Sequence, residues 1–350
     1  MKKFFLFVFL VIFLAVGFNG CSSAEKTGGN IHLQEGRFDR AIEQYRKALE
    51  KYPKDSDLYV AIGAAYFMKK NFKEAVSNFE KAESMNPEAL DGEVNQYEGL
   101  LNTRYLKWQI YYNGAVEYTK ENPEKAMELA KKSLDVEDSE KVSQSYNLLA
   151  NIMLNVDKVK EAQDFLTKAI EADKNNVEAY MTMGHYYLSE RKSDEALKYF
   201  NEVLKIDSTK IQVYELIGQA HLLKGDQDEA IKSLEKALSI SKNDPTILYN
   251  LMLANYRAKR YDVAINKGRE ILGLENVAPS VLTSVYNLMG QIYNDKGDYK
   301  NAVVVVKEAI EKGVNNCDSY SVAAFASYKL GNVKESTDWS NKMEECEKNQ

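Results

Sequence analysis

SDLYVAIGAAYFMKKNFKEAVSNFEKAESMNPEA, residues 56–89, carries two apolar stripes of helical period joined by a polar turn. Tyr59, Ile62, Gly63 and Tyr66 mark the first stripe, Ala75, Phe79 and Ala82 the second, Lys70 and Asn71 the turn, and Pro87 the end. Neither helix can bury its apolar face alone. Together they form a hairpin whose outer faces still need neighbours, so the pattern has to recur if the chain is to fold. It does: the small residue at Ala75 returns at Ala41, Ala126, Ala162, Ala196, Ala230, Ala264 and Ala302, and Ser336 follows. The successive spacings are 34, 51, 36, 34, 34, 34, 38 and 34 residues.

A 34-residue helix-turn-helix period with this small-and-large pattern resembles the tetratricopeptide repeat. The resemblance implies an all-α fold, a right-handed superhelical solenoid of about nine repeats running over residues 31–350. Repeats are expected to start near residue 22 (partial) and near 56, 107, 143, 177, 211, 245, 283 and 317. A solenoid grows without a new core, so 350 residues with only five prolines read as one continuous array.

Two interruptions stand out. Residues 90–106 lengthen one period to 51, and Tyr97, Leu101, Tyr105, Trp108 and Tyr112 keep helical spacing through them, so this insert is expected to extend the following helix. The first repeat is damaged at its start. Gly28 and Gly29 each cost a helix about 1 kcal/mol against alanine, so residues 21–30 are expected to be a tether followed by at most a frayed helix.

The N-terminus reads as an address. Lys2 and Lys3 precede an apolar run from Phe4 to Phe18 and then Asn19, Gly20 and Cys21, the layout of a signal peptide over residues 1–20. Gly20-Cys21 resembles the lipobox of bacterial lipoproteins, which implies acylation of Cys21. Several acyl chains at about 0.8 kcal/mol per buried CH₂ anchor a protein stably. The expected location is the periplasmic side of a bacterial envelope, the outer membrane more than the inner. Export leaves Cys317 and Cys346 at adjoining ends of the last antiparallel hairpin, where a disulfide and two free buried thiols are the alternatives.

Without the first twenty residues the chain has 44 basic and 52 acidic residues, a net charge of −8, which disfavours a nucleic-acid partner. The three histidines form no HExxH, the cysteines have no metal-site spacing, and neither a GxSxG nor a phosphate-loop pattern occurs. The reading is therefore a binding protein, not an enzyme, with no cofactor or metal. Gly63, Gly184, Gly218 and Gly290 recur where paired helices approach closely, and Gly36, Gly225, Gly297 and Gly331 where the first helix ends left-handed.

In tetratricopeptide proteins the first helix of each repeat lines a concave groove, and the register transfers those positions here. They include Phe67, then Trp108, Tyr111 and Tyr118, then Asn147 and Asn151, His185, Gln219, Tyr249 and Tyr256, and Asn287 with Gln291. Those positions hold no lysine or arginine, unlike the carboxylate clamps of the chaperone-binding members. Amides offer a donor and an acceptor to a peptide backbone, and aromatics supply contact area at low entropy cost. The expectation is an extended polypeptide in the groove, anchored by Trp108, Tyr111 and Tyr118, in a scaffold supporting envelope assembly or secretion. The alternatives are that these rings pack against the inserted helix, and that the ligand is a polysaccharide, which aromatics with amides also suit.

Overall fold

The computed structural model describes residues 23–90, 103–135 and 138–349. The signal peptide expected over residues 1–20 and Cys21 lie outside the described residues, as do residues 91–102 of the insert. Among the described residues there are eighteen α-helices and no strand, and no helix is long and apolar enough to cross a membrane. The chain divides between Ala179 and Tyr180 into two compact units.

In the first unit the hairpins are α1 (Ala24–Gln34) with α2 (Phe38–Lys51), α3 (Ser56–Met68) with α4 (Phe72–Met85), α5 (Thr103–Tyr118) with α6 (Pro123–Lys132), and α7 (Ser139–Asn155) with α8 (Val159–Ala172). The first residues of α9 (Val177–Ser189) complete it. The second unit holds the rest of α9, then α10 (Ser193–Ile206), α11 (Ile211–Lys224), α12 (Gln227–Ile240), α13 (Pro245–Arg257), α14 (Tyr261–Leu272), α15 (Pro279–Lys296), α16 (Tyr299–Glu311), α17 (Cys317–Lys329) and α18 (Val333–Lys348).

The recurring alanine is fully buried in all eight hairpins that carry it, from Ala41 to Ala302. No larger side chain fits there without moving a helix, which is why the position tolerates so little variation along the chain. In the ninth hairpin Ser336 takes the place, half-buried, and satisfies its hydroxyl by donating to the Ala324 carbonyl at 3.0 Å. Polar caps stop the helices at fixed points: Asp55, Asp138 and Asp244 each accept two backbone N–H bonds at the starts of α3, α7 and α13.

The residue that ends the first helix is left-handed at 36, 70, 157, 191, 225, 259, 297 and 331. Glycine fills four of these places, and Lys70, Asp157, Arg191 and Lys259 adopt the same positive φ at a steric cost.

The tether expected over residues 21–30 is corrected by α1, which is helical from Ala24 with Ser23 as its cap. The two glycines that argued against a helix are inside it. A β-carbon on Gly29 would come within 2.4 Å of the Tyr45 ring, so the missing side chain is what lets the aromatic residue of α2 lie against α1. Close packing of that ring offsets the helix-propensity cost. Gly63 against Phe79, Gly184 against Phe200 and Gly218 against Leu234 repeat the device. Gly290 differs, because its nearest neighbour is Val322 of the following hairpin.

Three first helices are long. α5, α7 and α15 begin at Thr103, Ser139 and Pro279, each one turn ahead of the repeat register, and all three come after spacings longer than 34. In α7 and α15 the extra residues are taken up in an added N-terminal turn. In the last hairpin a disulfide joins Cys317, the first residue of α17, to Cys346 near the end of α18, with Cα atoms 5.5 Å apart.

Candidate partner-binding clefts

The groove positions behave differently in the two units. In the first, the added turns of α5 and α7 cover Trp108, and other neighbours cover Tyr111 and Asn147. Trp108 is 6% exposed, its indole N–H donates to Ser145 Oγ at 3.0 Å, and its ring stacks on Tyr105 of the insert and on Tyr112. Lys141, in the added turn of α7, places its ammonium 4.9 Å from the Trp108 ring. Tyr111 is fully buried and edge-on to Phe79 of α4, and burial pushes its phenol far up. The reading of Trp108 and Tyr111 as open peptide anchors is therefore corrected. Both are core residues, because α7 and α4 close over the faces that the register leaves free. Tyr118 and Phe67 are half-buried, Tyr118 with the Lys73 ammonium 5.2 Å from its ring and Phe67 against Phe72.

Asn147 is likewise buried, donating from Nδ2 to Asn176 Oδ1 at 3.1 Å and to Glu178 Oε2 at 3.3 Å, while Asn151 is half-buried. Around Asn147 lies a cleft of about 570 Å³ formed by α7, the turn at residues 173–176 and the start of α9. All its lining residues are polar, among them Glu140, Gln144, Asp173 and Glu178.

In the second unit the first helices stay open. A cleft of about 770 Å³ runs over α13, α15 and α17 and takes in the expected groove residues Tyr249, Tyr256, Asn287 and Gln291. Tyr249, Tyr256, Leu253 and Phe325 give it apolar walls, and Ser284, Asn287, Gln291 and Asn294 give it hydroxyl and amide groups. Asn287 is locked by neighbours: its Nδ2 donates to Asn316 Oδ1 at 2.8 Å and its Oδ1 accepts from Ser319 Oγ at 2.6 Å. Asn294 donates to the Val322 carbonyl at 3.1 Å, but its buried Oδ1 receives no hydrogen bond. Tyr256 donates to Asp295 Oδ2 at 2.6 Å, and burial with this bond pushes its pKa up to about 12. Both phenols are thus neutral donors at physiological pH, burial also raising Tyr249.

His185 and Gln219, in α9 and α11, are exposed and outside both clefts, His185 meeting Phe200 edge-on. The sequence reading missed Phe325 and Arg257. Phe325 is 47% exposed and occupies in α17 the position of Gln291 in α15, so carrying the register one repeat further finds it. Arg257 lies one residue past Tyr256, off the register, and gives this cleft a cation where none was expected. The disulfide bears on the same place, since Cys317 lies between Asn316 and Asp318, both of which line the cleft.

Stacked two-helix repeats with clefts on their first helices define an all-α repeat scaffold for binding other proteins. Family models described as TPR repeat and Tetratricopeptide repeat match residues 29–70, 175–243, and 56–88, 143–176 and 283–311, together more than half of the chain. The chain belongs to the tetratricopeptide repeat proteins, an all-α solenoid family. It is similar to the Homo sapiens Protein O-mannosyl-transferase TMTC3, 24% identical over 155 residues that make up 44% of this chain and 16% of that protein. The Mus musculus BBSome complex member BBS4 is 25% identical over 149 residues, 42% of this chain and 25% of the relative. The chain thus spans a quarter or less of these relatives. Among solved structures, Pseudomonas aeruginosa pilF superposes with a TM-score of 0.46 at 16% identity, over 68% of this chain and 99% of that one. YrrB, described as a TPR protein with an unusual peptide-binding site, has a TM-score of 0.43 at 21% identity, over 62% and 99%.

Proposed function

We propose that this protein is a membrane-anchored scaffold that holds an extended segment of a partner protein in the second-unit cleft. The observation that carries this is the combination in one cleft of ring walls at Tyr249, Tyr256 and Phe325 with amides at Asn287, Gln291 and Asn294. Side chains of an extended segment fill the space between rings, and its backbone meets the amides. Asn294 Oδ1, a buried acceptor without an intramolecular donor, is suited to a backbone N–H of the guest. Anchoring rests on the Gly20-Cys21 pair after the apolar run, with acylated Cys21 holding the chain on the periplasmic side of a bacterial envelope. There the scaffold would serve an assembly or secretion complex.

A photocrosslinking residue at exposed Gln291, read in intact envelopes, tests the cleft. One protein partner should be crosslinked, and Phe325→Ala should abolish the adduct while leaving thermal unfolding unchanged. Adducts that persist in Phe325→Ala, or that vanish only on glycosidase treatment, would overturn the reading, the latter in favour of a polysaccharide ligand. Cys21→Ser should release the chain from membranes.

A further inference from the structure

The polar cleft of the first unit has a different chemistry. Its lining contains no lysine, no arginine and no apolar side chain, and three of its residues are the carboxylates Glu140, Asp173 and Glu178. Each is held by a local donor: Gln144 Nε2 to Glu140 at 3.0 Å, the Asn175 N–H to Asp173 at 2.9 Å, and Asn147 Nδ2 to Glu178 at 3.3 Å. The Lys141 ammonium forms a long ion pair with Glu140 at 3.8 Å and lies over the Tyr105 and Trp108 rings, without lining the cleft. The charge of Glu178 reaches Tyr112, whose phenol is held above its ordinary pKa by burial and by that carboxylate.

An acidic wall alone would not make a site. The second observation is Asn147, which lines the cleft and is only 3% exposed. Its amide is oriented by two acceptors, Asn176 Oδ1 and Glu178 Oε2, which use both Nδ2 hydrogens and fix the other end as oxygen. That oxygen receives no hydrogen bond. A buried acceptor without a donor is destabilising, and an N–H brought in by a ligand removes the deficit. A metal ion does not fit: among the described residues no three His, Cys, Asp or Glu side chains are grouped to hold one. Acceptors spread along a cleft of about 570 Å³ suit an organic cation with several N–H donors.

We propose that this cleft binds a lysine or arginine side chain of an extended basic polypeptide segment, with Glu140 and Glu178 taking the charge and Asn147 Oδ1 an N–H. The second-unit cleft differs in having ring walls and a cation, Arg257, beside its carboxylates Asp295 and Asp318, and neither reading depends on the other.

The test is calorimetric titration of the full chain with the peptide acetyl-(Gly-Arg)₃-amide and with its citrulline counterpart, which keeps the shape and loses the charge. The arginine peptide should bind saturably, and the citrulline peptide about tenfold or more weakly, as expected for losing charge-assisted hydrogen bonds. The pair Glu140→Gln with Glu178→Gln keeps the bonds from Gln144 and Asn147 and should weaken the arginine peptide by a similar factor. Glu344→Gln with Glu347→Gln removes as much charge from α18 and should change nothing. No saturable binding, equal binding of the two peptides, or equal loss in both double variants would overturn the proposal, the last by showing attraction to the overall charge of −6. The citrulline comparison is made on the native chain and stands even if a variant folds poorly.

Discussion

Trp108 and Tyr111 in α5 and Tyr249 and Tyr256 in α13 are aromatic residues of first helices, yet the first pair is core and the second lines a cleft. The difference lies in the first helix of the next repeat. Next to α5 stands α7, whose Ser145 accepts from the Trp108 indole and whose added turn places Lys141 over its ring. Next to α13 stands α15, whose added turn begins at Pro279 but whose facing residues are Ser284, Asn287 and Gln291, too short or too polar to close over Tyr249. Position in the repeat says which residues face the next helix. Whether they stay open depends on the neighbour's side chains.

The largest effect should come from emptying the buried side. Tyr111→Ala should cost about 3–5 kcal/mol in urea unfolding, the range for truncating a buried aromatic, whereas Tyr249→Ala should leave stability far less changed and lose the partner. Equal costs would erase the distinction. Next, reducing the Cys317–Cys346 disulfide, which closes a loop of 29 residues, should destabilise the last hairpin by about 3–4 kcal/mol on the chain-entropy estimate. Hydrogen exchange should show the loss in α17 and α18 and at the second-unit cleft, with the first unit unaffected.

Gly184→Ala puts a β-carbon within 2.4 Å of Phe200 and should cost about 1–3 kcal/mol despite its better helix propensity. The smallest effect has the opposite sign: Lys259→Gly, at a φ of 59°, should stabilise by about 1 kcal/mol, because glycine is already used at Gly225 and Gly297 in the same turn.

The fold was legible because a period of 34 is written in alanines and left-handed turn residues that respond to backbone geometry alone. Gly29 was misread for the opposite reason. Its helix cost is local and visible in the sequence, while the Tyr45 ring that offsets it is sixteen residues away and is placed only by packing. The cleft of the second unit was half legible. Tyr249, Asn287 and Gln291 fall on the register, but Arg257 falls off it, and the coverage of Trp108 depended on where α7 begins, which an insertion of two residues decides.

The contrast between the two aromatic sets is tested most directly by hydroxyl-radical footprinting of the full chain, read residue by residue against the urea-unfolded state. Trp108 and Tyr111 should be strongly protected by folding, while Phe325 should oxidise at close to its unfolded rate. If Trp108 and Tyr111 oxidise as readily in the folded chain as Phe325 does, α5 is open, and the account of which cleft receives a partner is wrong.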